Sequence, residues 1–272
     1  MAVYICVTCG VQYAPSERPP PACPICLDER QYMGWQGQRW TTLEEMAASG
    51  HRNLIEEVEP GLTAIWTQPK VAIGQRALLV QTRHGNLLWD CISFLDQETI
   101  DAVRERGGVQ AIGISHPHFY GVNVEWSDAF GGAPVYIHAD DRQWVQRPSP
   151  NVRFWEGETV EPFPGITLVH LGGHFDGAAV AYWPGGAEGQ GVVLSGDTIQ
   201  VVMDRRWVSF MYSYPNLIPL SAEKVEQIAA TMRQYPFRRL YGAFGGLNVL
   251  DEPDSVERSA HRYAEFVRGE RG

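Results

Sequence analysis

The chain has 272 residues, 44% hydrophobic and 20% charged, with a formal net charge of −10 at pH 7. That length accommodates one large domain with a small appendage and a substantial core. An acidic chain whose basic pairs, Arg205–Arg206 and Arg238–Arg239, stand isolated repels polyanions, so no nucleic-acid partner is expected.

No run reaches the ~18 apolar residues that a membrane span requires, so no membrane partner is expected either. The opening stretch Met1-Ala2-Val3-Tyr4-Ile5-Cys6 lacks a basic segment followed by an apolar one. A cytoplasmic location is therefore expected, with the five cysteines reduced and available to a metal.

Residues 1–40 read as a metal knuckle and connector, and residues 41–272 as the main domain. Cys6-Val-Thr-Cys9 and Cys23-Pro-Ile-Cys26 are two C-x-x-C pairs separated by thirteen residues. Each such turn aims two thiolates at one point, and two turns complete a tetrahedron that accepts zinc or iron. The segment holds too few apolar residues to fold without that ion. Residues 31–60 read as a connector, with a capping box at Thr41 and Glu44 and a stop at Gly50.

From Leu62 onward strands and helices interleave. A hairpin is expected over Ala77–Thr82 and Asn86–Cys91, a helix over Gln97–Arg106 and a buried strand over Ala111–Ser115. Further strands are expected at Pro134–His138, Ile166–His170, Ala178–Trp183 and Val192–Ser195. Helices are expected over Ala222–Gln234 and Pro253–Val267, the second with proline in its first turn. Cys91 reads as a small core residue.

The chemistry-bearing residues gather at strand ends. In Ser115-His116-Pro117-His118 an extended backbone would point both imidazoles the same way. His174 lies in the glycine-framed stretch Gly172-Gly173-His174-Phe175-Asp176-Gly177, and Asp197 in Leu194-Ser195-Gly196-Asp197-Thr198. Three imidazoles and one carboxylate suit zinc or iron. His138, His170, His51, His84 and His261 read as non-ligands, although His170, four residues before His174, could support it. Aromatic residues within Trp207–Tyr214 are expected to line a pocket over the metal.

Leu87-Leu88-Trp89-Asp90, the His-x-His strand, the His174 loop and the Gly-Asp-Thr aspartate, in that order, resemble the metallo-β-lactamase superfamily over about residues 62–250. The knuckles resemble those of rubredoxin-like domains and zinc ribbons. Leu27, where rubredoxin-like knuckles usually carry glycine, tilts the four-cysteine site toward zinc. The resemblance implies an α/β (α+β) fold, a four-layer αββα sandwich with metals along one edge. It also implies departures: Tyr120 and Gly121 replace an aspartate and a histidine of the second metal site, and Phe244 replaces the last histidine. One zinc or iron is then expected on His116, His118, His174 and Asp197. Tyr120 and Asp197 become the candidate catalytic groups, although Tyr120 could instead plug the vacated site.

The implied function is a metal-dependent hydrolase acting on a small ester, thioester, amide or phosphoester. A mononuclear iron oxidoreductase and a non-catalytic, ligand-binding member of the fold are the alternatives. The expected partner is a small molecule in each case; Asp176 and Asp204 are further candidate bases.

Overall fold

Alternation along the strands sets the layers. In Ala77–Thr82, Leu78 and Val80 face one side of their sheet and Ala77 and Leu79 the other, and all four are buried. Leu88 likewise faces away from Leu87 and Trp89. A strand buried on both sides belongs between two apolar layers. The computed structural model, which describes residues 1–271, has that arrangement.

The first sheet runs in chain order through Arg52–Glu59, Leu62–Gln68, Ala77–Thr82, Gly85–Trp89, Ala111–Gly113, Val135–His138 and Val152–Trp155. Its first four strands are antiparallel and the remaining pairings parallel. The second sheet contains Thr159–Phe163, Ile166–His170, Ala179–Trp183, Val192–Gly196, Arg239–Gly242 and Asn248–Leu250. Its one parallel pairing joins Val192–Gly196 to Arg239–Gly242. Trp89, Leu168, Ala181 and Leu194 fill the space between the sheets. Val169, Val180 and Val193 face the layer formed with the helices Ala222–Met232 and Ser255–Arg268. The fold is the expected αββα sandwich.

Several local expectations shift. The helix Leu43–Ala48 is capped one residue later than expected: Thr42, not Thr41, accepts from the Glu45 backbone N–H at 3.2 Å. Residues 52–59, taken as connector, form an edge strand in which exposed Glu56 and Glu57 mask the apolar pattern. Pro253 stands before the last helix, which starts at Ser255.

The knuckle is built into the main domain. The strand Ile5–Cys6 pairs antiparallel with Trp40–Thr41, across the expected boundary. Ile5, Val11 and Ile25 belong to the same apolar cluster as Ile65, Leu79 and Leu88 of the first sheet.

Candidate metal centres

Cys23 caps a one-turn helix, Pro24–Leu27, while a tight turn returns the Gly10 N–H to the Cys6 carbonyl at 2.8 Å. Together they bring four buried thiols together. The Sγ atoms of Cys6 and Cys26 are 3.6 Å apart, as are those of Cys9 and Cys23. A tetrahedral site with bonds of ~2.3 Å separates its sulfurs by roughly 3.8 Å, whereas a disulfide needs about 2 Å. The donors fit a structural ion. Hydrogen bonding among the thiols lowers the pKa of Cys6 and Cys23 and raises that of Cys26, while burial raises that of Cys9. Gln38 Nε2 also donates to the Cys6 sulfur at 3.2 Å.

The second cluster lies where the two sheets meet at one edge. After the strand Ala111–Gly113, His116 is extended, but Pro117–Phe119 turns into a single 3-10 turn closed by the Phe119 N–H on the His116 carbonyl. The expected extended His-x-His run is thus corrected: Pro117 sets the turn, and the two rings meet edge to face at 5.2 Å. His174 follows Gly172 and Gly173, both at positive φ. At φ +65° Gly172 takes a left-handed backbone that residues with a side chain rarely adopt.

His116, His118 and His174 present ring nitrogens within 4.8 Å of one another. The His174 Nδ1 donates to the Met211 carbonyl at 3.0 Å, which leaves Nε2 as its free lone pair. His116 Nδ1 lies 2.9 Å from Ser115 Oγ, and the Ser115 N–H donates to Asp90 at 2.7 Å. All three Nε2 atoms are buried without a protein partner. Three orphaned imidazole nitrogens converging on one point are the donor set a divalent ion requires. Burial depresses all three basicities, with His174 brought down to about 4, so the imidazoles stay neutral and able to ligate.

Asp197 follows the strand Val192–Gly196, with Oδ1 buried and unpartnered. Burial pushes its pKa up to about 7. It stands outside the mutual cluster formed by the three histidines.

The positions expected from the resemblance to have lost second-site ligands are tightly packed. Gly121 has φ +47°, and a Cβ there would meet the Ile92 carbonyl at 2.5 Å. The ring of Phe244 stands 6.4 Å from that of Phe119. Tyr120 is buried, its hydroxyl donating to the Asp141 carbonyl at 3.2 Å.

The other candidates lie outside this cluster, and His138 and His170 group separately with Asp140. Asp204 is exposed and paired with Arg206, and Asp176 is exposed. His138 and His170 stack at 3.8 Å, and His170 Nε2 donates to the Asp176 carbonyl at 2.7 Å. Of the aromatic segment, Tyr214 reaches the site, its ring 5.6 Å from His174, while Trp207 stacks under Arg258 and Arg262. Sequence reasoning missed Arg30. Its guanidinium lies over Phe175, the ring on which the three histidines also pack. Its place four residues after Cys26 was the only available signal.

No family model matches the chain. Over 271 residues it is 53% identical to the uncharacterized protein YmaE of Bacillus subtilis (strain 168), spanning 99% of this chain and 98% of the relative. The chain belongs to the YmaE family. Solved structures place the fold. The DIM-1 metallo-β-lactamase aligns with a TM-score of 0.60 at 14% identity, covering 79% of this chain and 98% of that one. FIM-1 from Pseudomonas aeruginosa, in its mono-zinc form, gives 0.58 at 14%, covering 79% and 95%. The metallo-β-lactamase from Pontibacter korlensis gives 0.58 at 14%, covering 78% and 99%. The fold is that of the metallo-β-lactamases, with a four-cysteine knuckle added at the N-terminus. No helix among the described residues is long and apolar enough to cross a membrane.

Proposed function

We propose that the chain is a metal-dependent hydrolase with one zinc held by His116, His118 and His174, acting on a small ester, thioester, amide or phosphoester. The observation that carries this reading is the convergence of three buried, unpartnered Nε2 atoms. Nothing in the packing of the sandwich calls for three imidazoles with free lone pairs at one point. Held by these three imidazoles, a zinc would supply water activation near neutral pH and polarisation of a carbonyl.

The chain's own residues supply orientation and proton handling. Met211 fixes the tautomer of His174, and the Asp90–Ser115 pair steadies His116. Asp197, whose Oδ1 is buried and unpartnered, is assigned the task of taking up a proton. A carboxyl already pushed up to about 7 by burial is matched to proton exchange near neutral pH. Tyr120 is assigned the plug of the vacated second site, because its phenol already donates to a backbone carbonyl. The four-cysteine site is assigned a structural zinc, because its side chains belong to the domain core.

The test is elemental analysis of the full chain beside the His116→Ala/His174→Ala double variant. Two metals per wild-type chain and one per variant are expected, with zinc at both sites. A variant that keeps its full metal content sinks the site assignment, and iron at the histidines redirects the search to oxidoreductase chemistry.

A further inference from the structure

Arg30 is a buried cation beside a site that would hold a dication. It is 9% exposed, with its Cζ 4.6 Å from the centre of the Phe175 ring and 4.3 Å from that of Tyr212. His118 and His174 pack on the same Phe175 ring at 4.9 and 5.3 Å.

The backbone that delivers Arg30 is fixed. Ser213 Oγ donates to the Arg30 carbonyl at 3.0 Å, and Asn216 Nδ2 donates to the carbonyls of Glu29 and Gln31 at 2.8 and 3.2 Å. Tyr212 Oη donates to the Glu29 carboxylate at 2.7 Å. The guanidinium itself is only partly satisfied. Both of its contacts to Asp28, each 2.9 Å, run through Nη1, and Nε is buried with no acceptor.

A strut between knuckle and domain needs no unsatisfied charged N–H, since leaving one buried is unfavourable. The Nε side of a guanidinium is a fork that matches two oxygens of a carboxylate or phosphate. With a dication on the histidines, positive charge here exceeds what Asp28 and Asp197 supply, and an incoming anion restores the balance.

We propose that Arg30 is the specificity-determining residue of the histidine centre, receiving an oxyanion group of the substrate beside the ion. The substrate is then an acid or phosphorylated compound whose scissile bond lies a few atoms from its charged group. This assignment deepens the hydrolase reading and rests on it for the reaction, but not for the anion.

The test is calorimetric titration of the full-length, metal-loaded protein with inorganic phosphate and, separately, with acetate. One anion per chain is expected, and the stronger of the two probes tells phosphoryl from carboxylate recognition. Arg30→Met should weaken binding at least about tenfold, with Arg30→Lys intermediate. Asp28→Asn, which frees Nη1, should tighten it.

A folded Arg30→Met protein that binds as wild type overturns the proposal, as does wild type that takes up neither anion at millimolar concentration. Should Arg30→Met fail to fold, unchanged or weaker binding by Asp28→Asn overturns it instead. Metal content measured on the same samples separates the two readings. Arg30-dependent binding without metal at the histidines removes the hydrolase and keeps the anion site, whereas metal present with Arg30-independent binding does the reverse.

Discussion

The backbone N–H of Gln12 donates to the Gly121 carbonyl at 3.3 Å, so the knuckle hairpin rests on the residue expected, from the resemblance, to replace a second-site histidine. A side chain there would run into the Cys91 and Ile92 carbonyls. Gly121→His is therefore expected to lower stability by about 2–5 kcal/mol and to add no metal, because the positive φ and the clash act together. Urea melts with metal analysis check it; a stable variant holding an extra ion would contradict this account of the vacated site.

The same docking ties the knuckle metal to the whole domain. Cys6→Ser with Cys26→Ser should lower the melting temperature by about 10 °C or more in a single transition, because Ile5 and Ile25 share their apolar cluster with the first sheet. Two separated transitions, with the main one unmoved, would mean that the knuckle is a mere appendage.

Ser115 bridges Asp90 and His116. Ser115→Ala removes the partner of His116 Nδ1 while leaving the backbone N–H on Asp90. It should weaken metal binding at the histidines roughly 10- to 100-fold, read by chelator competition. Undiminished affinity would show that the imidazole is held by packing alone.

Asp90 gives a pH signature. Burial raises its pKa from 3.8 to about 8 in the folded chain, against the opposing hydrogen bond from Ser115. The folded state therefore binds the proton more tightly than the unfolded one. The stability this contributes is present below pH 3.8 and lost as pH rises through about 8. Asp141 and Asp197, each raised to about 7 by burial, act in the same direction, whereas His116, His118 and His174, all lowered by burial, act oppositely below pH 6.5. In metal-free protein, Asp90→Asn should flatten the decline in urea midpoint above pH 6.5, where the histidines no longer oppose it, without abolishing it. An unchanged slope would mean that Asp90 is ionised in the fold.

Sequence alone determined what depends on spacing and periodicity. Two C-x-x-C turns bring four thiols to one point, and the ordered motifs from Leu87 to Thr198 carried the resemblance that implied the sandwich. It also located the three histidines, because each sits where a strand gives way to a loop. Tertiary structure decided the rest. The edge strand Arg52–Glu59 was hidden by its outward glutamates, and the turn at Pro117 changed how His116 and His118 face one another. Only folding brought Arg30, more than eighty residues before His116, against Phe175 and Tyr212, because a contact between distant segments leaves no local pattern for the chain to display. The ligand set is a property of local order, whereas what that set can recognise depends on which distant segment packs beside it.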